Sequence, residues 1–431
     1  MTYLTELKQK IQKKSLISRA AVIEEVYENF ILSKGPIVPI GSIFESREQN
    51  TKFEVVGIKE KHNVLMPLDY GSSLVKGDKL YELSNKIELP SDPVNLLGKV
   101  INAYGESMDG YRFKEKVEWK TASKPPSPLK RLRIKDAIET KIKAIDGFLT
   151  IGRGQKIGIF AGTGVGKSTL LGLLARRSTE EINVIALIGE RGREVREFIE
   201  RELGEEGMRR SVVVVSTSDE SSLMQIKAAE LATRIAEEFR DKGKRVLLMM
   251  DSVTRFAMAR RILDIANGDI PLAGGKTLGM EPSLQRLLER SGNNEKGSIT
   301  GIYTVLVEGD DFDGPIPDMA RGILDGHIVL TRRLADKNHF PAIDVLSSVS
   351  RVMQEVVDDN HWRASREIKK YISIYNEIED QYNLGLIERG KDPEIDRAIM
   401  LHKKINFLLQ QDLKESSDLD LTVKMMNELL G

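Results

Sequence analysis

Between an apolar run, Ile157-Gly158-Ile159-Phe160, and the residues Leu170, Leu171, Leu173, Leu174 and Ala175, this chain reads Ala161-Gly162-Thr163-Gly164-Val165-Gly166-Lys167-Ser168-Thr169. A glycine-rich stretch of this kind, leaving a strand and opening a helix, is a phosphate-binding loop in the setting that such a loop requires. Its glycines let successive backbone N–H groups close around phosphate oxygens at a helix N-terminus. Lys167 adds a mobile cation, and the Ser168 hydroxyl can complete a Mg²⁺ shell. The strict pattern opens on Gly where this chain has Ala161, a departure commonly tolerated. The bland alternative, a glycine-rich turn with no ligand, does not explain the strand before it and the helix after it. The loop commits the chain to at least one α/β unit with a parallel strand at its centre.

The rest of the chain sorts into regions around that unit. Residues 1–15 place Leu4, Leu7 and Ile11 on one face and Lys8, Lys10, Lys13 and Lys14 on others, a short amphipathic helix that needs a docking surface. That surface is either its own domain or a partner. From Pro36 to Leu97 short β-type runs such as Phe53–Ile58 and Asn63–Met66 suit a small antiparallel barrel or sandwich. Pro125-Pro126-Ser127-Pro128 marks an extended connector. Strands at Ile182–Ile188, Val212–Val215, Val246–Met250, Ile299–Val307 and His327–Thr331, with helical stretches between several of them, predict a parallel sheet with crossover helices. Beyond Val352 only charged helical patterns remain, broken near Gly390 and Asp392-Pro393. The expected divisions are 1–25, a partner-binding segment; 26–97, the barrel; 98–353, the nucleotide domain; and 354–431, a helical domain.

Composition narrows the function. Lys+Arg and Asp+Glu both number 65, so no global positive field draws the chain to nucleic acid or an anionic membrane. There is no cysteine, which excludes disulfides and thiolate metal sites and suits a reducing cytoplasm. The five histidines are scattered, without metal-ligand spacing. No apolar run is long enough to span a bilayer, and the N-terminus lacks the apolar core of a signal peptide, so the chain reads as a soluble intracellular protein.

Catalysis needs more than a loop. The apolar strand ending in Met250-Asp251 delivers a carboxylate to the ligand-binding edge of such a sheet, where it either holds a water on Mg²⁺ or merely caps the next helix. Ile188-Gly189-Glu190-Arg191-Gly192-Arg193 ends another strand, and a carboxylate there is placed to polarise a water. Alone, that cluster would pass for a solvated turn.

Five segments, Phe160–Leu174, Gly189–Val195, Met250–Arg260, Val307–Arg332 and Phe340–Met353, together resemble the flagellar and type III secretion ATPases, relatives of the catalytic subunit of rotary ATP synthases. The Asp251-Ser252-Val253-Thr254-Arg255-Phe256-Ala257 and Leu324–Leu330 runs are the most family-specific. The resemblance implies an α/β fold: a RecA-like P-loop core, an N-terminal β-barrel and a C-terminal helical domain. It implies ATP as substrate, bound with Mg²⁺ by residues 162–169. Lys167 would contact the β- and γ-phosphates, Ser168 would bind Mg²⁺, and Asp251 would reach the metal through water. Glu190 would be the catalytic glutamate, with Arg191 and Arg255 near the phosphates. Arg351 would be an arginine finger for a neighbouring subunit, and Phe340 would pack on adenine. Salt-bridge and core roles remain open for Arg351 and Phe340.

The same resemblance implies a homo-oligomer, a hexameric ring, with a central stalk protein, a stator-like regulator at the N-terminus, export-gate membrane proteins, export substrates and chaperones. It places the chain in the cytoplasm, peripheral to the export apparatus at the inner membrane. Flagellar service is favoured over the injectisome. A rotary ATP synthase subunit and a Rho-type RNA translocase are further readings, the latter opposed by neutral charge and the lack of an RNP-like aromatic motif. Gly268–Lys276 departs from the family's pattern, which bears on pore and subunit contacts rather than on nucleotide chemistry.

Overall fold

The computed structural model describes residues 19–431 except 70–72, 84–86, 122, 308 and 310. The amphipathic helix expected at 1–15 lies outside the described residues. Six strands, Ala20–Val26, Ile31–Lys34, Ile43–Ser46, Thr51–Lys59, His62–Pro67 and Lys79–Leu83, close into an antiparallel barrel. The first of them starts six residues ahead of the boundary read at 26, because Ala21 and Ile23 alternate inward with period two and join Phe44, Phe53, Val55, Leu65 and Leu80 inside the barrel. Closure leaves the barrel itself without a free sheet edge among the described residues.

One side of the barrel belongs to the neighbouring core. Val56, Val64 and Met66 pack into the same apolar cluster as the central sheet. Successive side chains of a strand point to opposite faces, so Val55 enters the barrel and Val56 the neighbouring core, and the register shifts by a bulge between Val55 and Gly57. Gly57 then admits the side chain of Asn267, whose Nδ2 donates to the Val56 carbonyl at 3.3 Å. Nearby, Lys227 Nζ lies 2.8 Å from Glu54 Oε2, and burial still holds that carboxyl above its ordinary range.

The central sheet has nine strands. Its order runs Val349–Ser350, Gly326–Leu330, Lys156–Ala161, Ser298–Leu306, Arg245–Asp251, Ile182–Glu190, Ser211–Thr217, Lys99–Asn102, with the short Gly292–Asn293 pairing off this path. All neighbours are parallel except at Val349–Ser350 and Gly292–Asn293. Helices cover both faces, so the middle strands are buried throughout, and that burial is why they read as unbroken apolar runs. Two crossover helices start on serine caps: Ser221 accepts from Met224 N before Ser222–Asp241, and Ser252 from Arg255 N before Val253–Ala266.

Helices Asp359–Asn383, Pro393–Leu409 and Leu419–Leu430 form the C-terminal domain. Asp358 and Asp392 cap the first two. The last packs on the helix Lys143–Phe148 so tightly that a Cβ on Gly147 would lie 2.8 Å from Met426 Sδ. Among the described residues no helix is long and apolar enough to cross a membrane.

The barrel–core junction yields a test. A Cβ at Gly57 would sit 1.9 Å from Asn267 Oδ1. Gly57→Ala should therefore cost about 1–3 kcal/mol in denaturant unfolding, although alanine is otherwise the better strand residue. Asn267→Ala in the same chain should restore most of it; a neutral Gly57→Ala would mean that the junction is loose.

Candidate active site

The loop strand Lys156–Ala161 is buried to its end, and the chain then turns through Gly162–Gly166 into the helix Lys167–Arg177. Gly164 (φ 78°) and Gly166 (φ 90°) occupy the left-handed region, which a side chain would strain. Val165, 2% exposed, anchors the turn in the core. No side chain caps the helix, so its first N–H groups and its positive dipole end face the loop's mouth. Ser168 is exposed there, whereas Thr169 turns its hydroxyl to Glu202 at 3.3 Å.

Two carboxylates meet Lys167. Its Nζ lies 2.6 Å from Asp251 Oδ1 and 3.6 Å from Glu190 Oε1. They arrive on adjacent parallel strands whose register pairs Leu187 with Asp251. Asp251 Oδ1 also accepts from Thr304 Oγ1 at 2.7 Å. Glu190 follows a register shift at Gly189, which has φ 69°. Such a bulge swings the following side chain out of the ladder, here toward the lysine.

Charge and burial act together on these groups. Burial, then the Asp251 carboxylate, push Glu190 up to about 7 against the pull of Lys167. Burial works against the Lys167 ammonium, but the two carboxylates more than compensate and raise its pKa. Glu190 is thus a carboxyl poised to exchange a proton near neutrality, as a general base requires.

The four remaining predicted residues scatter. Arg255 lies beside the loop: its stem covers Gly189, where a Cβ would meet Arg255 Cγ at 3.0 Å, and it lines a cavity of about 290 Å³ with Gly162 and Thr163. Arg191 points to solvent, 3.8 Å from Glu194. Phe340 approaches the loop from the other side, within 3.9 Å of where a Gly166 Cβ would stand. It lines a second cavity, of about 480 Å³, with Val165, Thr169 and Leu173. Arg351 joins none of these. Its N–H pairs with the Asp325 carbonyl and so sits level with Lys156, about 15 Å down the sheet from the loop, where its exposed guanidinium donates to the Arg321 carbonyl.

Sequence reasoning had passed over Gly189 as a bulge, Thr304 as the partner of Asp251, and Arg332, whose Nη2 approaches the Thr163 carbonyl at 3.5 Å. Only the glycine carried a signal, as a small residue interrupting an apolar strand just before a carboxylate.

The residues present fit a nucleoside triphosphate with Mg²⁺. An uncapped helix N-terminus behind two left-handed glycines is a phosphate cradle. Among the described residues no cluster of three or more His, Asp or Glu could hold a metal by itself. One hydroxyl (Ser168) and one buried carboxylate (Asp251) are what Mg²⁺ uses when phosphates and waters complete its octahedron.

The fold and this site define a P-loop ATPase of the kind found in ATP synthase catalytic heads. A sequence model of the ATP synthase alpha/beta family, nucleotide-binding domain, matches residues 141–350, and one of the T3SS EscN ATPase C-terminal domain matches 357–428. The flagellum-specific ATP synthase of Bacillus subtilis is 45% identical over 96% of this chain and 95% of its own length. The assembled ATPase EscN from the enteropathogenic E. coli type III secretion system superposes with a TM-score of 0.90 at 42% identity, covering 95% of this chain and all of that one. EscN in complex with its central stalk EscO gives a TM-score of 0.86 over the same coverage and at the same identity. The chain belongs to the family of flagellum-specific ATP synthases and type III secretion ATPases, and it is an ATP-hydrolysing enzyme.

The state of Glu190 gives a pH test. Its protonated form cannot accept a proton from water, so kcat/KM for ATP should climb with pH through a midpoint near 7. In Glu190→Gln the residual activity should lose that limb; a wild-type profile flat across neutrality would remove Glu190 from the role.

Proposed function

We propose that this protein is the ATPase of a flagellar protein export apparatus and that each of its catalytic sites is shared between two copies. The observation that carries this is the separation of parts within one chain: Lys167, Asp251 and Glu190 converge at the loop, while Arg351 stands exposed on the far edge of the sheet. Full-length similarity to a flagellum-specific ATP synthase supports the flagellar assignment.

In this reading the loop N–H groups and Lys167 hold the β- and γ-phosphates. Mg²⁺, held by Ser168 and through water by Asp251, neutralises charge on the phosphate oxygens when bound. Glu190 orients the attacking water and draws its proton. Arg255, with Arg191 closer to solvent, steadies the phosphates, and Phe340 packs on the adenine. Arg351 of one copy enters the neighbour's site, where a guanidinium offsets the charge that gathers on the equatorial oxygens.

Copies would assemble into a homo-oligomeric ring of six around a central stalk protein; EscN, similar along nearly the whole chain, is itself assembled and binds a central stalk, EscO. Turnover would drive delivery and unfolding of export substrates, handed over by chaperones, at export-gate membrane proteins, with the ring peripheral to the cytoplasmic face of the membrane. A stator-like regulator would bind residues 1–15. No nucleic acid takes part.

Complementation tests the shared site. Arg351→Ala should lower kcat by about 10³-fold or more while nucleotide binding survives. Glu190→Gln should be similarly slow. Rings mixed from the two variants contain interfaces with an intact Glu190 facing an intact Arg351, so the mixture should hydrolyse ATP faster than either parent. A mixture no faster than its parents would place Arg351 outside the neighbour's site.

A further inference from the structure

The wall of the Phe340 cavity opposite the loop helix is residues 410–413, the start of the link between helices Pro393–Leu409 and Leu419–Leu430. Gln411 in that wall is buried, and its backbone N–H and both ends of its side-chain amide are hydrogen-bonded. Its N–H donates to the Phe340 carbonyl at 2.9 Å. Oε1 accepts from Lys143 N at 2.8 Å, and Nε2 donates to the carbonyls of Lys141 (2.8 Å) and Glu415 (3.0 Å). The link is secured twice more: Lys143 Nζ, on a side chain 2% exposed, meets Glu415 Oε1 at 2.7 Å, and Arg177 at the end of the loop helix donates to the Leu413 carbonyl.

Residues 410–415 are therefore a strap from the C-terminal domain tied to the segment bearing Phe340, to the Lys141–Lys143 turn and to the far end of the loop helix. A phenyl ring has no hydrogen bond of its own to hold it, so its place is set by its backbone and by packing. The Gln411 backbone N–H grips that backbone at the carbonyl of Phe340 itself, and the Gln411 side-chain amide is locked by two bonds to the Lys141–Lys143 turn of the core domain and one to Glu415 within the strap.

We infer that Gln411 is a positioning residue for the base of the nucleotide: it fixes the gap between Phe340 and the strap into which the purine enters. Stacking on a ring rewards a gap held in advance and is weakened when the walls must be ordered on binding. The inference rests on the ATPase reading of the loop, and a ligand without a base separates the two. Inorganic tripolyphosphate has the phosphates that the loop and Lys167 take, but nothing for the gap.

The test is equilibrium binding of ATP and of tripolyphosphate, each with Mg²⁺, to the full chain carrying Glu190→Gln to stop turnover. Adding Gln411→Ala should raise Kd for ATP about tenfold and leave that for tripolyphosphate within about twofold. Gln411→Glu should weaken ATP further, since its carboxylate would face the Lys141 and Glu415 carbonyls. Retained tripolyphosphate binding shows that the variants are folded. Unchanged ATP affinity, or equal weakening of both ligands, overturns the inference. If the chain with Gln411 intact bound neither ligand, the ATPase reading would fall and the inference with it.

Discussion

Two carboxylates facing one ammonium at the carboxyl ends of adjacent parallel strands are the constraint around which this molecule is built. At an effective dielectric of about 20, unit charges some 4 Å apart interact by about 4 kcal/mol, and burial raises the stakes. Lys167 spans that pair, 2.6 Å from Asp251 and 3.6 Å from Glu190. One positive charge does not balance two negative ones, and the imbalance shows in Glu190, whose hold on its proton is strengthened by burial and by Asp251. A site with such a deficit favours a triphosphate that arrives with Mg²⁺ over the bare anion, and neighbours that bring positive charge.

The scaffold fixes this geometry with few parts. Parallel register sets Asp251 beside Leu187, so a carboxylate at the end of one strand and another three residues further along its neighbour open on the same edge. Gly189 redirects Glu190, and the stem of Arg255 then covers the space that a Cβ would have occupied. Thr304, from the strand between the loop strand and the Asp251 strand, holds Asp251 Oδ1 from the other side. Among the described residues the barrel and the helical domain add no charged group to the cluster. The strap from the helical domain lines the Phe340 cavity instead.

Much of this was legible in the sequence because its signals are local. Strands buried on both faces must be apolar throughout, so Ile182–Glu190, Arg245–Asp251 and Ser298–Leu306 announced themselves. The loop's glycines and Lys167 mark their own backbone and chemistry. What stayed hidden depends on partners distant in the chain. Lys99–Asn102 is a four-residue edge strand, largely half-buried, and joins the sheet only because Ser211–Thr217 needs a neighbour. Gly189 is a bulge only in relation to the register of the next strand. Gln411 finds Lys143 across 268 residues, a contact for which no spacing rule exists. Ala20–Val26 falls across the boundary read at 26, because only Ala21 and Ile23 turn inward and so short an alternation is a faint signal until the strands at Ile31–Lys34 and Lys79–Leu83 pair with it.

On the shared-site reading, charge balance also gives a reason for dividing such a site between copies. A cation built permanently beside Glu190 and Asp251 would satisfy the carboxylates in the absence of substrate, holding Glu190 ionised but leaving less for the triphosphate to gain on entry. Placing the guanidinium of Arg351 on the sheet's outer edge, away from both carboxylates, leaves the deficit standing in the single chain. On the shared-site reading, assembly then supplies the missing cation, which offsets the charge that gathers on the phosphates. On that reading hydrolysis is tied to the presence of a neighbour through electrostatics, because the cation that the phosphates need in the transition state is absent from the single chain.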